Sequence, residues 1–190
     1  MAPIPKGYDF VQSIPFCLKI GASVALLISL STLGFFLNNG DITLPSGEKT
    51  FDLWGKKQIL NVAILVIALA LLSVILLIFL FVSGFHEQMD CVNWPSTVAI
   101  NMIFWSLLLF IFGCLIADTS RKYDDVKQKH GSLCDVLRYN MSDARCDHLI
   151  ASSVTCFTAF ITLSVDAYLN FQNYWAGRQR QPTLRPVRRR

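Results

Sequence analysis

Two charged side chains stand in stretches that are otherwise almost free of charge. Asp166 lies near the end of the run Leu149–Phe171, LIASSVTCFTAFITLSVDAYLNF, and Lys19 lies near the start of another apolar run, about Ile14 to Leu37. In a bilayer, an ionised group at such a position needs a partner or a wet cavity. The chemistry these two residues offer is electrostatic: an ion pair between helices. Nothing around them suggests catalysis. There is no Ser-His-Asp order, no P-loop and no glycine-rich dinucleotide turn. His86, His130 and His148 are dispersed, and no cysteine and histidine spacing matches a zinc site. No metal site and no cofactor is therefore expected.

The cysteines and one sequon offer covalent chemistry. Cys134 and Cys146 fall in the same polar segment as the only N-glycosylation sequon, Asn140-Met141-Ser142. A sequon is used only in the lumen, and two cysteines in one loop pair readily in an oxidising space. Each signal also occurs by chance, but their coincidence places this segment outside the cell or in the lumen. Cys17 and Cys91 then lie beside the cytosolic face, where they are candidates for reversible palmitoylation or simply small apolar residues. Cys114 and Cys156 lie inside apolar runs and read as packing residues.

The elements that must position these groups are membrane spans. The chain is 53% hydrophobic and 16% charged, and its apolar residues come in long runs, so little remains for a soluble domain. About 20 apolar residues at ~1.5 Å each cross the hydrocarbon core. Four runs meet that length: about 14–37, 59–82, 95–117 and 149–171. The expected fold is an all-α membrane protein, a four-transmembrane-helix bundle. Residues 1–13 form an N-terminal tail without the pattern of a removed signal peptide. Residues 172–190 form a basic C-terminal tail ending PTLRPVRRR, too polar and proline-rich to pack a core.

The connections are read from turn residues. Asn39-Gly40 and Pro45-Ser46-Gly47 mark the first, with Thr43 or Phe51 in a possible short strand. Ser83–Trp94 is a short turn, and Pro95 suits the first turn of the third helix, where its missing N–H is not needed. Asp118–Asp147 is the longest loop. Tyr8, Phe10, Trp54, Trp94, Tyr168, Tyr174 and Trp175 flank the spans as interface anchors or as ordinary packing aromatics.

Four spans put both termini on one side. The lysine and arginine rule is nearly silent, because with both tails inside there are eight such residues inside and nine outside. The sequon, the paired cysteines and the tail arginines together make both tails cytosolic. Lys19 and Asp166 then each lie about five residues inside the cytosolic ends of their spans, some ~7 Å deep. They are expected to pair and tie the first and fourth helices. The alternative is that Lys19 snorkels alone and Asp166 faces water at the membrane edge. Ala151, Thr155 and Ala159 are spaced four apart and form a small-residue stripe for close helix packing, with Asp166 two turns on; Gly21 and Ala25 form another such pair.

Three pieces of the chain resemble the MARVEL family of four-span membrane proteins. They are SIPFCLKIGASVALLISL at the start of the first span, FHEQMDCVNWPSTVAIN leading into the third, and IASSVTCFTAFITLSVDAYLNFQNYW across the fourth. The last is similar to the family's AaxxF…YxxDAYLSFxxW pattern. The resemblance covers about Ile14 to Trp175. The short tails look like the myelin-and-lymphocyte, plasmolipin and chemokine-like-factor branches, whereas the paired cysteines of the last loop are similar to occludin-type loops. Claudins carry a Trp and two cysteines in the first loop, and here Trp54 stands without them. The Cys-Cys-Gly of tetraspanins is missing.

The resemblance implies a non-enzymatic protein of plasma membrane or secretory and endocytic vesicles that organises membranes or escorts other membrane proteins, in trafficking, membrane apposition or cell junctions. Its expected partners are membrane lipids, other integral membrane proteins and further copies of itself. Nucleic acid is not among them, for no basic residues interleave with aromatics on a soluble face. A second class is a small transporter or an auxiliary subunit of a channel or transporter. Conduction needs several polar groups at mid-membrane, and Asn61, Asn101, Lys19 and Asp166 lie mostly near the edges.

Overall fold

The computed structural model describes residues 13–41, 49, 51, 55–84, 94–125, 132–139 and 145–180; for residues 136, 139, 173, 174 and 176–180 this extends to the backbone alone. Five α-helices follow one another: α1 (Ile14–Asn39), α2 (Lys57–Val82), α3 (Trp94–Asp125), α4 (Leu133–Tyr139) and α5 (Asp147–Arg180). Among the described residues, α1, α2, α3 and the stretch Asp147–Gln172 of α5 are long and apolar enough to cross a membrane. Helices are the economical answer to these sequences, since in lipid every backbone N–H and C=O must be satisfied within the segment.

The four long helices run alternately up and down. α5 packs along both α1 and α3, α1 also packs on α2, and α2 and α3 meet more sparsely. α1 starts after Ser13 with a proline in its first turn and stops at Gly40, whose N–H donates to the Phe36 carbonyl at 2.8 Å. A Cβ on Gly40 would stand 2.6 Å from that carbonyl oxygen and 3.1 Å from Phe51, so the stop admits no side chain. Phe51 is buried edge-on against Phe36. Thr43 lies outside the described residues.

Two helices outrun their expected spans. The first eight residues of the segment read as a loop, Asp118–Asp125, continue α3. At ~1.5 Å per residue α3 is about 48 Å long, more than the ~30 Å hydrocarbon core. Its polar end is held by Asp118, which accepts from Lys56 at 2.7 Å and Lys122 at 3.2 Å, and by the Tyr123 hydroxyl donating to the Gly55 carbonyl at 2.8 Å. These contacts also secure Lys56 in a left-handed conformation, φ 65°, which a side chain other than glycine rarely adopts. Likewise α5 continues nine residues past Phe171 to Arg180.

The outside of the bundle is the apolar side. Leu65, Leu72, Phe79, Ile100 and Leu107 are each more than half exposed, the arrangement a lipid solvent rewards. The interior mixes large side chains such as Phe36, Met102 and Tyr123 with small ones such as Ala22, Ala63 and Ala159. Gly113 on α3 is the closest approach to α5: a Cβ there would lie 3.3 Å from Phe157 and 3.4 Å from Cys156, and the Ser153 hydroxyl donates to its carbonyl at 3.1 Å. Without a hydrophobic force between helices in lipid, such backbone approach supplies the packing. Gly113→Leu is expected to destabilise the bundle by about 1–3 kcal/mol, the usual cost of overpacking, with Gly113→Ala much milder. Thermal unfolding in detergent measures both, and equal midpoints for Gly113→Leu and wild type would contradict the tight α3–α5 contact.

The expected stripe on the last span is corrected. Ala151 is exposed and Thr155 only half-buried, while Ala159 is buried. The residues that face the bundle are Ser152, Cys156, Ala159, Leu163 and Asp166. At its start the stripe shifts by one position, from Ala151 and Thr155 to Ser152 and Cys156, while Ala159 and Asp166 face inward as expected; the inward face of α5 is shared by two neighbours, α1 and α3. The Gly21 and Ala25 pair also divides: Ala25 is buried, whereas Gly21 is exposed and has nothing within 4 Å of a Cβ position. Cys114, read as a packing residue, is exposed.

Candidate functional site

The most unusual group in the interior joins α1 to α5. Lys19 and Asp166 are 1% and 0% exposed, and the Lys19 ammonium donates to Asp166 Oδ2 at 2.6 Å. Lys19 therefore does not snorkel to the surface, and Asp166 does not face water at the edge. Asn170, one turn beyond Asp166, donates from Nδ2 to Asp166 Oδ1 at 3.2 Å and to its backbone carbonyl at 2.7 Å. Both carboxylate oxygens thus accept a hydrogen bond. Ser23, one turn beyond Lys19, donates to the Lys19 carbonyl at 2.8 Å.

The helices account for this geometry. Lys19 is five residues into α1 and Asp166 is 14 residues from the end of α5. The two helices are antiparallel, so the ten residues of α1 from Lys19 to Ser29 match the ten of α5 from Asp166 back to Cys156, with Ser152 one turn further. At that second level the Ser29 and Ser152 hydroxyls are 2.9 Å apart, and the Ser29 hydroxyl is 3.1 Å from Cys156 Sγ. Nearer the other end the Phe35 and His148 rings lie 5.1 Å apart. Charge, hydroxyl and ring contacts together set one register between α1 and α5. A slip of one helical turn, about 5.4 Å, breaks all three.

At the far end, α4 is fastened to the start of α5 by a disulfide between Cys134 and Cys146, with Cα atoms 5.7 Å apart. Between α3, α4 and α5 an open cleft of about 1200 Å³ carries this disulfide in its wall. Charged side chains, among them Arg121, Arg138 and Asp147, and the apolar Ile150, Val154 and Phe157 line it.

The other sequence-predicted residues are scattered. Cys17 is exposed on the first turn of α1. Cys91 and the sequon residue Asn140 lie outside the described residues, as do His86, His130, Tyr8, Phe10, Trp54 and the last ten residues of the basic tail. His148 is half-buried, with Nδ1 3.0 Å from the Arg145 carbonyl. Asn61 is exposed, and Asn101 is half-buried and donates to the Ser73 hydroxyl at 3.0 Å, linking α3 to α2. Trp94 begins α3 edge-on to Phe81, and Tyr168 and Trp175 are exposed on α5. Among the described residues no group of three or more histidine, cysteine and acidic side chains is arranged to hold a metal.

Sequence reasoning missed Asn170, the Ser29–Ser152–Cys156 cluster and the Lys56–Asp118 contact. Asn170 was within reach, since a residue four beyond Asp166 shares its helix face. The serines carry no such signal, because their partner is decided by interhelical register.

What this arrangement does chemically is hold helices. The buried charges of Lys19 and Asp166 are turned toward one another, Ser29 meets Ser152, other buried hydroxyls such as Ser106 and Thr119 bond carbonyls of their own helix, and the exterior is left apolar. In comparison with known proteins, the family model described as MARVEL, membrane-associating domain, matches residues 10–169. No curated protein and no solved structure matches the chain.

Proposed function

Because the chain belongs to the MARVEL family of membrane-associating domains, we propose that this integral membrane protein is a non-enzymatic organiser, one that gathers lipids and other membrane proteins in vesicle trafficking, membrane apposition or cell junctions. The observation that carries this reading is the division of the bundle into an interior whose charges are paired and an apolar exterior. Lys19 and Asp166 partner one another, and Asp166 is completed by Asn170, so these charges serve helix assembly. Large apolar side chains such as Phe79, Ile100 and Leu107 are what the bundle offers to its surroundings.

The test is proximity labelling in intact cells. Strong enrichment of one receptor, channel or junction component makes the protein an adaptor for that client. Labelling spread over vesicle machinery makes it a general organiser. Selective solute flux in reconstituted liposomes would overturn the reading in favour of a transporter.

The proposed orientation has both termini in the cytosol and the segment between α3 and α5 in the lumen or outside. The support is chemical: Cys134 and Cys146 are joined, which suits an oxidising compartment, and the sequon Asn140-Met141-Ser142 lies between them in the chain. Cys17 then faces the cytosolic interface, where, with Cys91, it is proposed as a site of palmitoylation. Glycosidase treatment of the protein from mammalian cells is expected to increase its gel mobility, and Asn140→Gln is expected to abolish the difference. Labelling of an epitope at either terminus in intact, unpermeabilised cells would reverse the orientation.

A further inference from the structure

The cleft between α3, α4 and α5 has the composition of a lipid site. Three arginines, Arg121, Arg138 and Arg145, and three aspartates, Asp124, Asp135 and Asp147, stand in its wall. Below them the same wall is continued by Ile150, Val154 and Phe157. Depth along the helices puts these two layers at different levels of a bilayer. Arg121 is 27 residues along α3 from Trp94, about 40 Å at ~1.5 Å per residue. That exceeds the ~30 Å hydrocarbon core and, for a helix tilted by ~20°, brings Arg121 to the headgroup layer on the far side. Ile150, Val154 and Phe157 are three, seven and ten residues into α5, roughly 5–15 Å further toward the membrane centre.

We infer that this cleft binds one zwitterionic phospholipid, with the phosphate held among Arg121, Arg138 and Arg145, the ammonium by the aspartates, and an acyl chain laid along Ile150, Val154 and Phe157. Charge complementarity selects this occupant. Guanidinium groups bind phosphate through paired N–H donors. A headgroup that is wholly anionic meets three carboxylates in the same wall, an opposing element that discriminates against it. Among the described residues Arg138 and Arg145 enter no salt bridge, and Arg121 reaches Asp125 at 3.2 Å with both side chains largely exposed, a contact weak enough to be exchanged. The disulfide keeps α4, and with it Arg138 and Asp135, against the start of α5.

The inference rests on the membrane embedding of the bundle and not on its organising role, so it fails or stands independently of the proximity-labelling result. The test is native mass spectrometry of the full chain released from nanodiscs holding phosphatidylcholine and phosphatidylglycerol in equal amounts. Wild type is expected to retain one phosphatidylcholine in preference to phosphatidylglycerol by on the order of tenfold, the equivalent of about 1.4 kcal/mol. The double variant Arg138→Gln/Arg145→Gln is expected to lose that preference while its thermal unfolding stays close to wild type. A separate variant, Val154→Asp, is expected to lower retention of both lipids. Equal retention of the two lipids, preference for phosphatidylglycerol, or an undiminished preference in the double variant would each overturn the site.

Discussion

Lys19→Met and Asp166→Leu, made singly, are each expected to destabilise the bundle by about 3–5 kcal/mol, because each leaves one charge buried without its partner. That is a large share of the ~5–15 kcal/mol that holds a typical folded protein together. Asp166→Asn tests the same point with almost no change of shape. It keeps a group able to accept from Lys19 but removes the counter-charge, and Lys19 is too enclosed to recruit water, at 1% exposure. The double variant Lys19→Met/Asp166→Leu is expected to recover most of the loss, since an apolar pair of similar volume commonly matches or exceeds a buried ion pair in stability.

What the double variant does not recover is register. Methionine and leucine tolerate a one-turn slip of α1 along α5, which then only the Ser29–Ser152 and Phe35–His148 contacts oppose. Cross-linking of engineered cysteines between α1 and α5 should therefore broaden from one pairing to several in the double variant. Size-exclusion profiles and thermal unfolding in detergent measure the stability arm. Wild-type assembly in Asp166→Asn would remove the ion pair from its role in joining the helices.

Loss of the disulfide is the second large effect. Cys134 and Cys146 are separated by 12 residues and join α4 to the start of α5. For a closed loop near this size the chain-entropy account gives about 3 kcal/mol of stabilisation. Cys134→Ser, Cys146→Ser and the double variant are expected to be equally destabilised, because each removes the same bond. Reductant should bring wild type to the level of the variants and leave the variants unchanged. Limited proteolysis between residues 126 and 146 is the sensitive measurement, since that is where the constraint acts. Indifference of wild type to reductant would show that the bond contributes nothing to holding α4. Thiol alkylation before and after reduction, read by mass, counts the cysteines involved; two newly reactive cysteines after reduction are expected.

The two effects act at different levels of α5, the disulfide at its start and the ion pair 19 residues along it, and the serine contact between Ser29 and Ser152 lies between them. They differ in what they resist. The ion pair opposes sliding of α1 on α5 within the membrane. The disulfide opposes departure of a short helix outside it. Seven residues are too few for α4 to be stable alone, so its position depends on covalent attachment and on the burial of Leu133 and Leu137.

Much of this architecture is legible as sequence because the bilayer is a demanding solvent. An uncharged run of some twenty apolar residues has few alternatives to a spanning helix, which is why α1 and α2 begin and end within a few residues of the expected spans. The same solvent makes Lys19 and Asp166 conspicuous, since charges at depth are rare and expensive. Counting residues from the two span ends brings them to one level without any knowledge of packing.

Helix faces are a different matter. Lipid tails are as apolar as leucine, so no contrast in hydrophobicity separates the inward from the outward side of a spanning helix. That is why spacing alone points to Ala151 and Thr155 for a face that Ser152 and Cys156 occupy, why Gly21 stands exposed beside buried Ala25, and why Cys114 points outward. Helix ends in water are likewise undetermined by hydropathy. α3 runs on to Asp125 because Lys56 and the Gly55 carbonyl meet its polar end, partners more than sixty residues away in the chain. Local chemistry along the chain, then, decides that there are four spans and which side chains cannot face lipid unpaired. Only the assembled bundle decides which faces meet, which hydroxyls pair and where a cleft opens, because those depend on distances between segments that the order of residues does not contain.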